Sequence, residues 1–391
     1  MNAQNQPLQN IKFTYPDKSR ESLRNAYWMF RVMNNPVIAA LSTRAALLAY
    51  KIHLPISWAV KQTIFKHFCG GETLEECEKT IQELGSNGIG STLEYSVEND
   101  EGDKFFENTT EEIIKAIHFA TKNPYANSIA IKPTGLMSHK LLAQGNAKTR
   151  HVETRHASSY ERAVQRIDRI CNAAHQSNIE VYIDAEESPE QAAIDELSIC
   201  MMKKYNKEKP LVYITLQMYR RDRLEYLDYL LGLSKKENFL LGVKLVRGAY
   251  WQAEVERGRK KGILPLVFLE KHEPDSAFNK AIEVCVNNIG LLAVCAATHN
   301  EESARCLVEA SGKMKPGNGH ERIKFSQLYG MSDHISFSLA AAGYQVSKYL
   351  PYGPIKQVIP YLIRRAEENT SIQGQVGREL KMIEAARKRQ A

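Results

Sequence analysis

The stretch FLLGVKLVRGAY, residues 239–250, decides the fold, because an apolar run passes directly into charged and turn-forming residues. A short apolar run with turn residues beside it is typical of a strand buried on both faces of a parallel sheet. Lys244 lies at its middle and Arg247 near its end. The stretch therefore predicts a buried parallel strand whose carboxyl end presents cationic side chains.

Seven further runs of the same kind occur along the chain. They are STLEYSVE (91–98), SIAIKPTG (128–135), IEVYIDAEE (179–187), LVYITLQMY (211–219), LLAVCAATHN (291–300), IKFSQLYGM (323–331) and YQVSKYLPYG (344–353). Amphipathic segments such as AFNKAIEVCVNNI lie between them. Eight strands alternating with helices predict an α/β fold, a (β/α)₈ barrel of the TIM type. A doubly wound open sheet is the alternative, but no G-x-G-x-x-G motif follows the first strand.

The composition limits the classes of protein that remain. The net charge is +7, with 52 basic and 45 acidic residues spread along the chain, which speaks against a nucleic-acid-binding protein. The dense basic stretches are RGRKK (257–261) and the terminal RKRQA, which we interpret as a solvated loop and a frayed end. By pattern, residues 1–85 form an N-terminal helical region, and the alternating strands and helices follow it.

The cysteines and the N-terminus indicate a compartment. The seven cysteines include no C-x-x-C pair, so neither disulfides nor a metal site is expected. The first residues lack a secretory or Arg-rich leader, and no apolar run is long enough to span a membrane. We expect a cytoplasmic protein, with any membrane contact peripheral.

Polar residues recur where the apolar runs end. In a barrel these ends surround one mouth, which is where enzymes of this fold place their chemistry. The residues are Glu94, Glu98, Lys132, Asp184, Glu186, Gln217, Lys244, Arg247, Thr298, His299, Gln327 and Tyr349. The motifs of zinc proteases, P-loop proteins and α/β-hydrolases are absent from the sequence. From chemistry alone, a Schiff-base lyase or aldolase that uses one of the lysines is the alternative.

The stretch PYLIRRAEEN, residues 360–369, places two arginines after the eighth strand. On a helix, Tyr361, Arg364, Arg365 and Glu368 share one face, opposite an apolar face. Paired guanidinium groups suit a carboxylate, because each planar fork matches two oxygens. We expect this helix to lie over the mouth and to bind a small anionic molecule, with Glu368 supporting Arg364.

Five stretches together resemble the proline dehydrogenase family, in that family's order. They are YIDAEES, KLVRGAYW, AATHN, QLYGM and YLPYGPIKQVIPYLIRRAEEN, and the resemblance extends from about residue 85 to 375. It therefore implies a catalytic barrel over residues 86–375, followed by a basic tail over residues 376–391. It implies a distorted (β/α)₈ barrel with its last helix above the mouth. It also implies FAD-dependent oxidation of L-proline to Δ1-pyrroline-5-carboxylate, by hydride transfer to flavin N5 and onward transfer to a quinone-type acceptor.

The resemblance also implies residue roles. The substrate-binding residues would be Lys132, Leu328, Tyr349, Tyr361, Arg364 and Arg365. The flavin-binding residues would be Ala185, Gln217, Lys244, Arg247, Gly248, Ala249, Thr298, His299 and Gln327. Asp184 would orient Lys132 and other polar groups, and Lys244 would tune the flavin, although some branches of the family carry Arg at that position. Glu98 would pair with Arg364 and gate the site.

Two further functions remain open at this point. Hydroxyproline dehydrogenase shares the fold and the flavin, but a smaller residue stands there in place of Tyr349, so Tyr349 favours proline. A catalytically silent barrel is the alternative from another class, although the matched positions keep competent residue types. Nothing matches the aldehyde dehydrogenase domain of the bifunctional relatives, so we expect a monofunctional enzyme and a separate pyrroline-5-carboxylate dehydrogenase.

Overall fold

Eight parallel strands form a closed barrel in the computed structural model, which describes residues 20–33, 60–97, 101–144, 154–312, 319–371 and 375–390. The strands pair in chain order, and β1 pairs with β8 to close the barrel. They are β1 (Ile89–Tyr95), β2 (Ala126–Ile131), β3 (Glu180–Ile183), β4 (Val212–Gln217), β5 (Leu241–Val246), β6 (Leu292–Ala297), β7 (Ile323–Leu328) and β8 (Gln345–Tyr352). The predicted (β/α)₈ barrel is confirmed, and each of the eight apolar runs overlaps one strand, although β1 and β2 begin two residues before their runs.

Helices lie between the strands and before and after the barrel. Before β1 are α1 (Arg20–Met33), a short helical segment (Lys61–Phe65 and Lys66–Phe68) and α2 (Leu74–Gly85). Around the barrel lie α3 (Asp103–Thr121), α4 (His139–Gln144), α5 (Thr154–Ser177), α6 (Ser188–Tyr205), α7 (Arg223–Glu237), α8 (Trp251–Lys261), α9 (His272–Asn287), α10 (Glu301–Gly312) and α11 (Asp333–Ala341). After β8 come α12 (Ile355–Ser371) and α13 (Gln375–Gln390).

The strands are buried on both faces, as their apolar runs require. Their outward side chains form one core with the surrounding helices, which includes Leu93, Ile183 and Val243. Their inward side chains form a smaller cluster that fills the barrel, which includes Tyr182 and Tyr213. The interior of the barrel is therefore packed, and in a barrel of this type the mouth is where a ligand binds.

Two expectations about basic segments are wrong. The RGRKK stretch is not a loop, because it forms the second half of α8, which ends at Lys261. The C-terminal residues are not a frayed end, because residues 375–390 form α13. Buried side chains of α13, including Ile383, pack with Leu23 and Phe30 of α1 and Val358 of α12. The sequence analysis did not predict this contact, because α1 and α13 lie some 350 residues apart along the chain.

Candidate active site

Helix α12 brings its aromatic and cationic side chains to the end of β2. Tyr361 is buried, and Arg364 and Arg365 are half-buried. The Tyr361 ring contacts two cations: its centroid is 5.3 Å from Lys132 Nζ and 5.1 Å from the Arg365 guanidinium carbon. Lys132 follows β2 directly, so a lysine and a tyrosine that are 229 positions apart in the sequence meet here. This contact places α12 over the mouth, as the sequence predicted.

A buried hydrogen-bonded group lies across the mouth, centred on Asp184 at the end of β3. Lys244 Nζ donates to Asp184 Oδ1 at 2.6 Å, and the Tyr349 hydroxyl donates to Oδ2 at 2.8 Å. Lys244 Nζ also lies 4.9 Å from the centroid of the Tyr349 ring. Burial raises the pKa of the Tyr349 phenol well above its usual value, so it remains a donor. The three side chains fix one another's positions.

Lys132 has a different partner from the one we expected. Its Nζ lies 2.6 Å from Glu94 Oε1 in β1, and the Ser96 hydroxyl donates to Glu94 Oε2. Asp184, which we expected to orient Lys132, is instead the partner of Lys244. The reason is geometric: Glu94 and Lys132 lie on the adjacent strands β1 and β2. Glu94 therefore forms the ion pair with Lys132, although the sequence analysis predicted it only as a carboxylate at a strand end.

The turn after β5 is held by three hydrogen bonds of one guanidinium group. Arg247 donates to Asp275 Oδ1 at 2.7 Å, to Thr298 Oγ1 at 2.7 Å and to Ser303 Oγ at 2.8 Å. The next residue, Gly248, has φ +122, which L side chains rarely adopt. The turn that the sequence assigned to flavin binding is thus rigidly fixed to β6 and α9.

Two buried glutamines at strand ends are oriented by backbone carbonyl groups. Gln217 Nε2 donates to the Glu186 carbonyl at 3.1 Å, and Gln327 Nε2 donates to the Thr298 carbonyl at 3.1 Å. The Ser336 hydroxyl donates to Gln327 Oε1 at 2.8 Å. A primary amide has two N–H donors, and these bonds use one on each glutamine. Both amides therefore present donors in a fixed orientation.

His299 is a neutral imidazole at the end of β6. Its Nδ1 lies 3.0 Å from Ser332 Oγ. Burial, with the nearby charges of Lys348 and Arg365, lowers the pKa of His299 to about 3. It therefore offers hydrogen bonds without adding positive charge to an already cationic mouth.

Sequence reasoning gave no role to two buried ionisable residues near the mouth. Glu186 accepts hydrogen bonds from the Thr134 and Tyr250 hydroxyl groups, and burial raises its pKa to about 7. Lys348 of β8 lies 2.9 Å from Asp333 Oδ1 and donates to the Met331 carbonyl at 2.6 Å, which fixes the loop after β7. For Lys348, the signal in the sequence is a lysine inside the otherwise apolar run that forms β8.

The remaining predicted residues occupy these same strand ends or fall outside the description. Leu328 packs against the cluster that contains Tyr349. Ala185 is half-buried after β3, and Ala249 is exposed after β5. Glu98 and the side chain of Glu368 lie outside the described residues, so their predicted gating and supporting roles stay predictions.

The donor set fits a flavin dinucleotide. An isoalloxazine ring presents carbonyl oxygens and ring nitrogens, and its diphosphate is anionic, so both need N–H donors and cations. The mouth supplies Lys244, Arg247, the two glutamine amides and neutral His299, and all of these are positioned by bonds within the protein. No group of three His, Cys, Asp or Glu residues suited to a metal occurs within the ranges described above.

A model of the proline dehydrogenase family matches residues 77–378. The chain belongs to this family. Members are FAD-dependent oxidoreductases that act on proline, so the predicted family, enzyme class and cofactor are confirmed. The match includes every strand of the barrel and all the residues assigned from the sequence.

Individual relatives agree with the family match. Proline dehydrogenase 1, mitochondrial, of Dictyostelium discoideum is 30% identical over 92% of this chain and 71% of its own length. The carbapenem antibiotics biosynthesis protein CarD of Pectobacterium carotovorum subsp. carotovorum is 35% identical over 81% of this chain and 82% of its own. Among solved structures, proline utilization A from Bdellovibrio bacteriovorus, inactivated by N-propargylglycine, superposes with a TM-score of 0.78 at 20% identity. That match covers 96% of this chain but 42% of the larger protein, and it supports the fold.

Proposed function

We propose that this chain oxidises L-proline to Δ1-pyrroline-5-carboxylate at the barrel mouth, with FAD as cofactor and a quinone as electron acceptor. The observation that carries the proposal is the approach of two cations, Lys132 and Arg365, to the Tyr361 ring, at the same barrel mouth as the Asp184–Lys244–Tyr349 group. The mouth thus combines anion-binding groups with a rigid apolar and hydrogen-bonding surface. A small amino acid with an apolar ring has this combination of groups.

The substrate carboxylate would bind between the cations of α12 and Lys132. Arg364 and Arg365 provide planar forks for its two oxygens, and Lys132 adds a point charge. Tyr361, Tyr349 and Leu328 would pack on the pyrrolidine ring. Holding the reacting C–H bond in one orientation is the main contribution a protein makes to such a reaction.

When bound, FAD supplies the acceptor for two electrons from the C–H bond beside the ring nitrogen. It would be held by Ala185, Gln217, Lys244, Arg247, Gly248, Ala249, Thr298, His299 and Gln327. Lys244 is a cation that Asp184 keeps at a fixed place, and a fixed cation favours an electron-rich ligand. Asp184 therefore acts by positioning Lys244 and Tyr349.

Tyr349 supports proline over hydroxyproline. Its ring is 7% exposed, and its hydroxyl is engaged by Asp184. A ring hydroxyl on the substrate would need space that this phenol fills, or would compete for Asp184. We therefore propose proline as the physiological substrate.

The location and partners are also part of the proposal. All seven cysteines are unpaired, which supports a reducing compartment such as the cytoplasm. No described helix has the length and apolar character needed to cross a bilayer. Water opens the cyclic imine product to an aldehyde, and oxidising that aldehyde is a different reaction class, so we propose a separate pyrroline-5-carboxylate dehydrogenase. We assign catalysis to residues 86–375 and propose no nucleic-acid partner.

An anaerobic absorbance titration with L-proline tests the proposal. We expect proline to bleach the flavin bands of the parent protein, and an Arg364→Ala/Arg365→Ala variant to need at least about a hundredfold more proline, because two charged hydrogen bonds are lost. Lys356→Ala is the matched control, since it removes an exposed cation from the same helix. A protein without flavin, or equal titrations for parent and variant, would overturn the assignment.

A further inference from the structure

An exposed apolar loop connects α8 to α9. In this loop Ile263 is 57% exposed, Leu264 65%, Leu266 45% and Leu269 50%. These four residues and the neighbouring Trp251 make up five of the seven large apolar side chains that are exposed in the described ranges. Singly exposed apolar residues are ordinary, but such a concentration in one loop marks an interaction surface. We call residues 262–269 the leucine loop.

The leucine loop is anchored to the barrel by its backbone. Val267 is fully buried and forms an antiparallel bridge with Arg220. The Arg221 amide donates to the Leu266 carbonyl at 3.0 Å, and the Trp251 indole donates to the Phe268 carbonyl at 2.8 Å. Alternate residues are therefore held inward while the leucines are presented outward.

The approach to the leucine loop is basic. Helix α8 ends in Arg259, Lys260 and Lys261, all exposed, and the loop begins at Gly262. Between residues 256 and 272 the chain carries five basic and two acidic side chains. Glu256 neutralises part of this positive charge through its ion pairs with Arg259 and Lys260. A cationic rim around an apolar tip matches an anionic lipid surface, where headgroups attract the cations and the acyl boundary accepts the leucines.

The leucine loop lies at the same end of the barrel as the proposed flavin site. The Phe268 amide donates to the Tyr219 carbonyl at 2.8 Å. Tyr219 in turn packs so closely on Gly248 that a Cβ there would lie 2.4 Å from the ring. One buried tyrosine thus connects the exposed loop to the turn assigned to the cofactor.

We propose that the leucine loop and the basic end of α8 dock this protein on an anionic lipid bilayer, with the barrel mouth beside the membrane surface. The inference rests on the proposed function in one respect, since a membrane-dissolved quinone gives this orientation its use. Lipid is favoured over a second copy of the chain because a second copy would bring the same positive charges together.

Vesicle binding measured by co-sedimentation tests the docking surface. We expect the flavin-loaded protein to bind phosphatidylcholine vesicles that contain phosphatidylglycerol and to release them at high salt. An Ile263→Ser/Leu264→Ser/Leu266→Ser/Leu269→Ser variant should bind at least about tenfold more weakly, because four exposed aliphatic side chains are removed. Lys260→Gln/Lys261→Gln should weaken binding to the mixed vesicles only. Trp28→Ser, which removes an exposed aromatic ring from α1, is the control.

Activity measurements separate this inference from the proposed function. With a soluble dye as acceptor, the leucine-loop variant should oxidise proline at the parent's rate; with a quinone dissolved in vesicles it should lose most of its rate. Equal vesicle binding by parent and variant would overturn the docking surface even if proline oxidation is normal. Sedimentation velocity without lipid gives the remaining outcome, since a parent dimer that the variant abolishes would assign the leucine loop to a second copy.

Discussion

Glu186 is a carboxyl group whose pKa is brought close to neutral pH by its surroundings. Its carboxyl is 5% exposed at the end of β3, and it accepts hydrogen bonds from Thr134 and Tyr250. Burial raises its pKa to about 7, while Lys132 and the two donors oppose the shift and Glu190 reinforces it. Below that pH the group is neutral, and above it a negative charge appears near Lys132. Glu186 therefore links proton concentration to the charge available for a substrate carboxylate.

A Glu186→Gln variant should change how proline binding depends on pH. As pH rises through about 7, ionised Glu186 offsets part of the positive charge of Lys132, so the KM for proline should rise in the parent. Gln cannot ionise, so the parent-to-variant ratio of KM should increase by roughly threefold to tenfold between pH 6 and 8. Steady-state kinetics across this range measure the ratio. Taking the ratio cancels the ionisation of proline itself.

The controls for Glu186 separate charge from packing. Glu208→Gln changes an exposed carboxylate and should leave the ratio flat. Since the folded-state pKa of Glu186 is raised, the parent's free energy of unfolding should fall relative to that of Glu186→Gln as pH rises between about 4.5 and 7, by roughly 1 kcal/mol per pH unit. A constant stability difference with a constant ratio would show that Glu186 stays in one ionisation state.

Residue types at the mouth were predictable from the sequence, whereas their partners were not. Each strand-end residue is adjacent in the sequence to its apolar run, so its position at the mouth follows once the fold is known. The pairing of Asp184 with Lys244 spans β3 and β5 and depends on which side chains point into the barrel. Glu94 took the place beside Lys132 for the same reason. Partner choice is set by distances across the barrel, which no local pattern contains.

At the scale of elements, the turn after β5 depends on one glycine. Gly248 has φ +122, and a Cβ at this position would lie 2.4 Å from the ring of Tyr219, which is 3% exposed and has little room to move. Gly248→Ala should therefore shift the turn that Arg247 fixes. We expect the variant to fold but to retain less than about half of the parent's flavin, as backbone strain of this kind costs on the order of 1–3 kcal/mol.

Flavin-to-protein absorbance after gel filtration measures this loss. Gly232→Ala in α7 is the matched control, because nothing lies within 4 Å of the added carbon and alanine favours a helix. Full flavin retention by Gly248→Ala would show that the turn adapts and that its glycine serves packing on Tyr219 alone.

The strands and most helices were predictable because their signals are local. A strand buried on both faces needs a short apolar run, and each of the eight runs overlaps one strand. Helix α13 was missed because its composition is basic and its apolar residues are few, so only its packing partners reveal its buried face. The end of α8 was mistaken for a loop because its charges outweigh its helical pattern.

At the scale of the whole molecule, the N-terminal helix α1 and the C-terminal helix α13 pack against α12, the helix that carries the proposed substrate-binding residues. Leu23 and Phe30 of α1 and Ile383 of α13 are fully buried against the apolar face of α12, which includes Val358 and Leu362. Tyr361 belongs to the same buried cluster, and the paired arginines follow it on α12. The position of the groups that we propose to bind the substrate carboxylate thus depends on contacts made by α1 and α13.

Ile383→Ala tests this dependence. Removing buried methyl groups should lower the free energy of unfolding by about 2–5 kcal/mol, and the loosened α12 should raise the KM for proline several-fold. Lys388→Ala is the control, since it changes an exposed residue of the same helix. Thermal unfolding and steady-state kinetics, measured well below the melting temperature, give the two quantities. A loss of stability with an unchanged KM would mean that α13 stabilises the fold without positioning Arg364 and Arg365, and that α12 is held in place by the barrel alone.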